Sequence, residues 1–264
     1  MRFLCVFVCD VYAAKMDVIK VRKSELQWSQ NGTLVILGQP RAGKTYLIND
    51  IILSRGTVFH NKPASLVLLY AKWDSMYDNW KTVFGSNFCA HQGWDSRFVE
   101  KLFARRTEKS PPLLLIIDDL IDALTQRENR AHVLRLINVY VSHGNAVLIL
   151  TTQECTMEGG AGLMLRNIIR TAAGIVIFDN VLSLIPLRSL SISLFPARSK
   201  PSSVLTKILE KNSILGFRYI FIDINASNYE RNEQFVSKRR LLRVRNTLFT
   251  NEVFTGAKPL LFYT

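Results

Sequence analysis

Six short, mostly apolar runs recur along this chain, and segments with helical periodicity separate them. Apolar runs of this length are typical of strands that are buried on both faces of a parallel sheet. Strands that alternate with helices predict an α/β fold, a three-layer sandwich around a mainly parallel central sheet. The predicted strands are 34–37, 65–71, 113–117, 146–152, 174–178 and 219–224. The predicted helices are 44–55, 74–83, 96–106, 127–143, 162–170 and 202–212.

The length and composition of the chain fit one ordered domain. The 264 residues are enough to bury a core, and 48% hydrophobic against 21% charged residues is typical of a folded protein. No internal repeat and no low-complexity linker divides the sequence. We therefore expect residues 21–264 to form one domain, and residues 1–20 to form an N-terminal extension or an edge strand.

The N-terminus and the cysteines argue against secretion. Residues 1–14 superficially resemble a signal peptide, but Asp10 interrupts their apolar run, and no run in the chain reaches the length of a membrane span. The first residues are either an upstream extension, with Met16 as the natural start, or an added strand. The four cysteines are scattered, as expected in a reducing compartment.

Residues 38–45 read G-Q-P-R-A-G-K-T and match the phosphate-loop pattern G-x-x-x-x-G-K-[ST] at every fixed position. Glycines permit the tight turn and let backbone N–H groups approach phosphates, and the following helix adds its N-terminal dipole. Lys44 would reach the β- and γ-phosphates of ATP, and the Thr45 hydroxyl would bind Mg²⁺. The predicted nucleotide-binding residues are Gly38, Gln39, Pro40, Arg41, Ala42, Gly43, Lys44 and Thr45.

Two later strands end in polar side chains. The strand at 113–117 ends in Asp118 and Asp119, which point to opposite faces and so cannot share one role. Asp118 is predicted to hold Mg²⁺, and Asp119 to orient the attacking water or accept its proton. The next strand ends in Thr151-Thr152-Gln153, which makes Gln153 a candidate sensor of the γ-phosphate.

The order of these motifs resembles the FtsK/HerA branch of P-loop ATPases. Within that branch, the later segments are similar to the viral genome-packaging ATPases of the Maverick/Polinton and adintovirus group, relatives of the poxvirus packaging ATPase. The resemblance spans about residues 30–250. Five stretches carry it: GQPRAGKTYLI, PPLLLIIDDLI, ILTTQ, LRNIIRTAAGIVIF, and FRYIFIDI followed by RVRNTLF. The charged stretch that the family has after its fifth strand is replaced here by D-N-V-L-S at 179–183.

The resemblance implies a RecA/FtsK-like sandwich of the ASCE type. It also implies a homo-oligomeric ring, a hexamer, that threads double-stranded DNA into a capsid with capsid or portal proteins as partners. An arginine would be supplied across the subunit interface, and Arg166 is the first candidate and Arg170 the second. A guanidinium there stabilises charge on the transferred phosphoryl group. Such a protein would act in the nucleus or cytoplasm of a host cell, or in the virion.

The net charge of +13 points to a polyanionic partner, either nucleic acid or an anionic membrane surface. Basic residues concentrate at 231–245, where alternation at 242–245 indicates an antiparallel C-terminal edge strand with one basic face. Phosphate contacts carry no base specificity, which suits a motor that moves along DNA. The candidate DNA contacts are Lys238, Arg239, Arg240, Arg243 and Arg245. A second basic patch comprises Lys101, Arg105, Arg106 and Lys109, and either run reads equally well as a solvated face.

Four aromatic residues recur at helical spacings of three and four, which favours a packed face over a base-stacking platform. They are Tyr70, Trp73, Tyr77 and Trp80.

The motifs together predict an ATP-hydrolysing motor that translocates double-stranded DNA, most consistent with packaging a viral genome. A DNA helicase or AAA+-like replication ATPase is an alternative, although the position of the candidate arginine and the lack of a recognisable lid domain count against AAA+. A nucleotide-gated DNA-binding scaffold with little turnover is another alternative, and the intact pair of Asp118 and Asp119 argues against it.

Overall fold

The computed structural model describes residues 4–8, 17–21, 31–153, 157–178, 184–194, 205–206, 219–223 and 244–245. The strands are β1 (Leu4–Val8), β2 (Asp17–Val21), β3 (Gly32–Leu37), β4 (Ser65–Tyr70), β5 (Phe88–Gln92), β6 (Leu113–Asp118), β7 (Ala146–Thr152), β8 (Gly174–Phe178), β9 (Tyr219–Asp223) and β10 (Val244–Arg245). The helices are α1 (Lys44–Leu53), α2 (Arg55–Val58), α3 (Met76–Phe84), α4 (Ser96–Phe103), α5 (Ile121–Thr125), α6 (Arg130–Arg135), α7 (Val141–His143), α8 (Gly159–Thr171) and α9 (Leu184–Leu194). A π-helical segment, Leu136–Tyr140, joins α6 to α7.

Six strands form a parallel sheet in the order β5-β4-β6-β7-β3-β8. Beyond β8, strand β9 pairs antiparallel with β8, and β10 pairs antiparallel with β9. Strands β1 and β2 pair antiparallel with each other. The predicted α/β sandwich with a mainly parallel sheet is therefore confirmed, and each of the six predicted strands is present.

Side chains of the central strands alternate between two apolar layers. Val35 and Leu37 of β3 pack into a layer with helices α4 to α9, whereas Leu34 and Ile36 pack into a layer with α1 to α3. Strand β6 is buried along its whole length, as expected for a strand covered on both faces. Burial on both faces explains why the strands read as continuous apolar runs in the sequence.

Several regular elements are absent from the sequence-based prediction, among them β5, α5 and α9. Strand β5 (Phe88–Gln92) lies at the edge of the sheet, none of its residues is buried, and it ends in His91 and Gln92, so it lacks a long apolar run. Helix α5 is only five residues long, and α9 carries Pro186 within its first turn. Conversely, the helix predicted at 202–212 falls mostly outside the described residues, of which Leu205 and Thr206 are helical.

The carboxyl ends of the parallel strands meet at one edge of the sheet, which we call the carboxyl edge. Strand pairing sets Leu37, the last residue of β3, beside Thr152, the last residue of β7. In the same way, Tyr70 at the end of β4 lies beside Asp118 at the end of β6. The loops that follow these strands therefore converge, which is where ligands bind in open α/β sheets. Among the described helices, none is long and apolar enough to cross a bilayer.

Candidate nucleotide-binding site

The loop between β3 and α1 turns tightly over the carboxyl edge. Its first N–H, on Gly38, donates to the carbonyl of Thr152 at 3.1 Å, and the Ala42 N–H donates to the Gln39 carbonyl at 3.1 Å. Gly43, the N-cap residue of α1, has φ +102°, and Arg41 has φ +64°. Positive φ values at two of three consecutive residues wrap the chain into a concave turn, which suits phosphate binding through backbone N–H groups.

Phe178, at the end of β8, packs closely against this loop. A Cβ atom placed on Gly38 would lie 3.1 Å from the Phe178 ring and from its Cβ, and one on Gly43 would lie 3.6 Å from the ring. Gly38 is therefore needed for close approach, whereas Gly43 is needed for its positive φ. The sequence places Phe178 in a buried strand, but its contact with the loop depends on the neighbouring position of β8 and β3.

Lys44 begins α1 and folds back over its own loop. Its Nζ donates to the carbonyls of Gly38 at 2.7 Å and Gln39 at 3.0 Å. Burial lowers the pKa of this ammonium group, and the charges of Asp119 and Asp118 act in the opposite direction. Lys44 therefore lies within electrostatic reach of both predicted carboxylates, and Thr45 follows it in the first turn of α1.

Asp118 is held on both carboxylate oxygens by hydroxyl groups. Tyr77 of α3 donates to Oδ2 at 2.5 Å, and Thr151 of β7 donates to Oδ1 at 2.5 Å. The pairing of Ile117 with Leu150 explains the second contact, because the next residues of β6 and β7 share one face. Asp118 is only 6% exposed. The sequence places Tyr77 only in an aromatic stripe and gives Thr151 no separate role.

Asp119 lies in a different environment, although it is the next residue. It is exposed and has φ +58°, so the chain leaves the strand direction immediately after Asp118. Its N–H donates to Thr151 Oγ1 at 2.9 Å, and the Gln153 side chain donates to its Oδ1 at 2.8 Å. Asn and Asp tolerate the left-handed region better than most residues do. The structure thus brings Gln153 to Asp119 and gives the two carboxylates separate surroundings, and their separate roles stay a prediction.

The donor set at this edge fits a hard divalent cation such as Mg²⁺. Asp118 is a buried carboxylate, and within the described ranges no lysine, arginine or histidine nitrogen lies within 4 Å of it. A buried charge calls for a compensating charge, and oxygen ligands are those that Mg²⁺ prefers. Asp118 and the hydroxyl of Thr45 are the groups that could hold such an ion.

The two candidate arginines lie on the exposed side of α8. Arg166 donates from Nε to the carbonyl of Gly162, one turn earlier, at 3.3 Å. Arg170 is likewise exposed. Within the described residues, no hydrogen bond or ion pair joins either guanidinium to Asp118 or Asp119, and the arginine supplied across a subunit interface stays a prediction.

The two predicted basic patches differ in how much of each the structure describes. Of the C-terminal DNA candidates, Arg245 lies in β10, and Lys238, Arg239, Arg240 and Arg243 fall outside the described residues. In the second patch, Arg106 is not a free surface cation. Its guanidinium donates to three backbone carbonyls, those of Gly144, Pro111 and Asn145. The patch is therefore reduced to the exposed residues Lys101, Arg105 and Lys109.

The aromatic residues form a packed cluster, as predicted. The rings of Tyr70, Trp73 and Tyr77 contact one another with centroids 5.2 to 5.8 Å apart, and Tyr77 also packs on Trp80 at 4.8 Å. Trp80 is fully buried, and its indole N–H donates to Asn49 of α1 at 3.2 Å. The cluster therefore connects α3 to both α1 and β6.

The parallel sheet, the loop before α1 and the acidic strand end define the fold of a P-loop NTPase. Among solved structures, the chain is similar to B204, the DNA-packaging ATPase of Sulfolobus turreted icosahedral virus. The match has 17% identity and a TM-score of 0.53, and it covers 82% of this chain and 97% of that one. The genome-packaging NTPase B204 of Sulfolobus turreted icosahedral virus 2, in complex with AMPPCP, matches at 18% identity and a TM-score of 0.51, over 81% and 97% of the two chains.

Structural similarity at identities this low establishes a shared fold. No protein-family model and no curated protein sequence matches the chain.

Proposed function

We propose that this chain is an ATP-hydrolysing motor of the FtsK/HerA type that translocates double-stranded DNA and packages a viral genome. The observation that carries the proposal is the meeting of the phosphate loop, Asp118 and the Asp119–Gln153 pair at one edge of the sheet. The fold shared with two viral packaging ATPases supports it. The excess of basic residues suits a polyanionic substrate.

In the proposed binding step, the phosphates of ATP would compete with loop carbonyls for the ammonium group of Lys44. The β- and γ-phosphates would replace the carbonyls of Gly38 and Gln39 as acceptors for its ammonium group, while loop N–H groups contact the phosphate oxygens. An anion offers Lys44 a stronger, charge-assisted hydrogen bond than a neutral carbonyl does. Mg²⁺, held by Thr45 and Asp118, would neutralise negative charge on the β- and γ-phosphates.

We propose that Asp119 acts on the attacking water. Gln153 occupies Oδ1 of this carboxylate, which leaves Oδ2 to accept a hydrogen bond and then a proton from water. The water oxygen forms a bond to the γ-phosphorus as the bond to the bridging oxygen of ADP breaks. Gln153 would sense the γ-phosphate through this hydrogen bond to Asp119.

Hydrolysis would drive movement within a homo-oligomeric ring, which we propose to be a hexamer. Arg166, or Arg170 beside it, would reach the nucleotide of the neighbouring subunit, since both lie exposed on α8. The basic residues from Lys238 to Arg245 would contact DNA phosphates without reading bases. Capsid or portal proteins would then supply the docking site, in the nucleus or cytoplasm of the host cell or in the virion.

The test is ATP turnover by the purified chain with and without double-stranded DNA. We expect DNA to stimulate hydrolysis, and Lys44→Ala to reduce turnover by about a hundredfold or more because the phosphates lose their charged ligand. Lys62→Ala, at an exposed lysine away from the loop, is the matched control and should leave turnover unchanged. The proposal fails if the parent does not hydrolyse ATP, or if Lys44→Ala behaves like the parent. Nucleotide binding without turnover would indicate a scaffold.

A further inference from the structure

The Tyr77 hydroxyl is an unexpected part of the candidate site. It belongs to α3, outside the phosphate loop and outside the two acidic residues, yet it lies 2.5 Å from Asp118 Oδ2. Tyr77 is only 2% exposed. A buried phenol of this kind needs a hydrogen-bond partner, and the partner here is the carboxylate that the proposed function assigns to Mg²⁺.

The ring of Tyr77 is fixed by its neighbours. The ring packs edge-on against Trp73, with the ring centroids 5.4 Å apart. It packs in a tilted arrangement against Trp80, with the centroids 4.8 Å apart. Trp80 in turn donates to Asn49 of α1, the helix that begins with Lys44. Tyr70, which also contacts the Tyr77 ring, is the strand neighbour of Asp118. The phenol is therefore held between the two elements that carry the nucleotide-binding groups.

Each of the two hydroxyl groups donates to a different oxygen of the Asp118 carboxylate. Thr151 occupies one lone pair of Oδ1 and Tyr77 occupies one lone pair of Oδ2, and an ionised carboxylate offers about four such sites. One acceptor position on each oxygen therefore stays available for a cation or its water ligands. With a donor on each oxygen, the carboxylate cannot rotate without breaking a hydrogen bond.

We propose that Tyr77 is a positioning residue that orients the Asp118 carboxylate for Mg²⁺. This inference rests on the proposed function, because it assigns a purpose to the same site. The Tyr77 hydroxyl donates to Oδ2, and Thr151 donates to Oδ1, so the carboxylate is held at both oxygens. Groups that orient metal ligands in this way commonly alter metal affinity by about 10- to 100-fold when they are removed.

The experiment compares Tyr77→Phe with Tyr70→Phe in the full chain. Both changes remove one hydroxyl from the same aromatic cluster, but of the two hydroxyl groups only that of Tyr77 has a described hydrogen bond to Asp118. Binding of a fluorescent, non-hydrolysable ATP analogue is measured as Mg²⁺ is titrated, and again in EDTA. For Tyr77→Phe we expect the Mg²⁺ concentration at half-saturation to rise about tenfold, with affinity in EDTA unchanged. Tyr70→Phe should match the parent in both measurements.

Asp118→Asn provides the second arm. Tyr77→Phe on its own leaves the buried Asp118 carboxylate with one hydrogen-bond donor fewer. Asp118→Asn removes the charge of that carboxylate. The double variant therefore tests the contact between residues 77 and 118 even if Tyr77→Phe alone does not fold. If Tyr77 acts through the carboxylate, adding Tyr77→Phe to Asp118→Asn should shift neither measurement.

The inference is overturned if Tyr77→Phe keeps the Mg²⁺ dependence of the parent, if Tyr70→Phe shifts it equally, or if the shift persists beside Asp118→Asn. Failure of the proposed function would look different, because the parent itself would then bind the ATP analogue in no Mg²⁺-dependent way. That result overturns both proposals together.

Discussion

The two ends of the central sheet use their polar groups in opposite ways. At the carboxyl edge, Lys44 and Asp119 are held by contacts that a ligand can replace, namely loop carbonyls and one amide. At the amino edge, where β6 and β7 begin, the side chains of Arg106 and Asn145 donate hydrogen bonds to backbone carbonyls. The difference separates a candidate binding site from a structural clamp within one fold.

Arg106 and Asn145 form that clamp. Arg106 donates to the carbonyls of Gly144, Pro111 and Asn145, and the Asn145 side chain donates to the Ser110 carbonyl at 2.8 Å. Asn145 itself has φ +48°, which asparagine accommodates more readily than most residues do. These bonds tie the chain before β6 to the chain before β7.

The largest effect is expected from Asp119→Asn. Asparagine tolerates the positive φ and can still accept the Gln153 hydrogen bond, but it cannot accept a proton from water. Turnover should fall by about a thousandfold with nucleotide binding unchanged. Steady-state kinetics and analogue binding measure the two quantities. Asp122→Asn, at an exposed aspartate of α5, is the control and should turn over like the parent.

A decrease in analogue binding by Asp119→Asn equal to its decrease in turnover would contradict the water-activating role. It would place Asp119 among the binding groups and weaken the contrast between its replaceable contact and the clamp.

The next largest effect is expected from Arg106→Ala at the amino edge. Removal of the guanidinium breaks three hydrogen bonds to backbone carbonyls, and each such bond contributes about 1 kcal/mol. The Asn145 carbonyl keeps the Leu113 N–H as a donor, whereas the Gly144 carbonyl loses its described donor. The free energy of unfolding in urea should therefore fall by about 2 to 3 kcal/mol, with ATP turnover unchanged well below the melting temperature. Its exposed neighbour provides the control, because Arg105→Ala should change stability little.

If instead Arg106→Ala keeps its stability and loses affinity for DNA, the residue belongs to a DNA-binding patch and the comparison of the two edges is wrong.

The smallest effect concerns Asp50 of α1, whose burial raises its pKa from 3.8 to about 6. Because the folded chain binds this proton more tightly than the unfolded chain, the carboxyl favours folding at low pH, and that contribution is lost as pH rises through 6. Asp50→Asn should therefore stabilise the protein at pH 8 by about 1 kcal/mol, after allowance for its half exposure.

Urea unfolding between pH 8 and pH 4.5 checks this expectation, with the exposed Asp78→Asn as control. The gain from Asp50→Asn should shrink as the pH falls. A gain that is independent of pH would mean that the titration of Asp50 does not contribute to stability.

The sequence predicts the elements whose residues act locally. The phosphate loop from Gly38 to Thr45 and the acidic end of β6 are contiguous motifs, and apolar runs mark strands buried on both faces. The contact of Tyr77 with Asp118 joins residues 41 positions apart, and helical spacing of aromatic residues indicates packing without indicating where a hydroxyl points. Arg106 likewise reads as part of a solvated basic run, because its three acceptors are backbone carbonyls, which have no sequence signature.

Displacement of a DNA triplex tests the central claim most directly. A third strand is annealed to a duplex, and its release is followed with the parent chain in the presence of ATP, AMPPCP or no nucleotide. A motor that moves along double-stranded DNA should release the third strand with ATP and not with AMPPCP, without separating the duplex, and Lys44→Ala should release none. ATP hydrolysis without triplex release would contradict translocation, and release accompanied by duplex separation would identify a helicase instead.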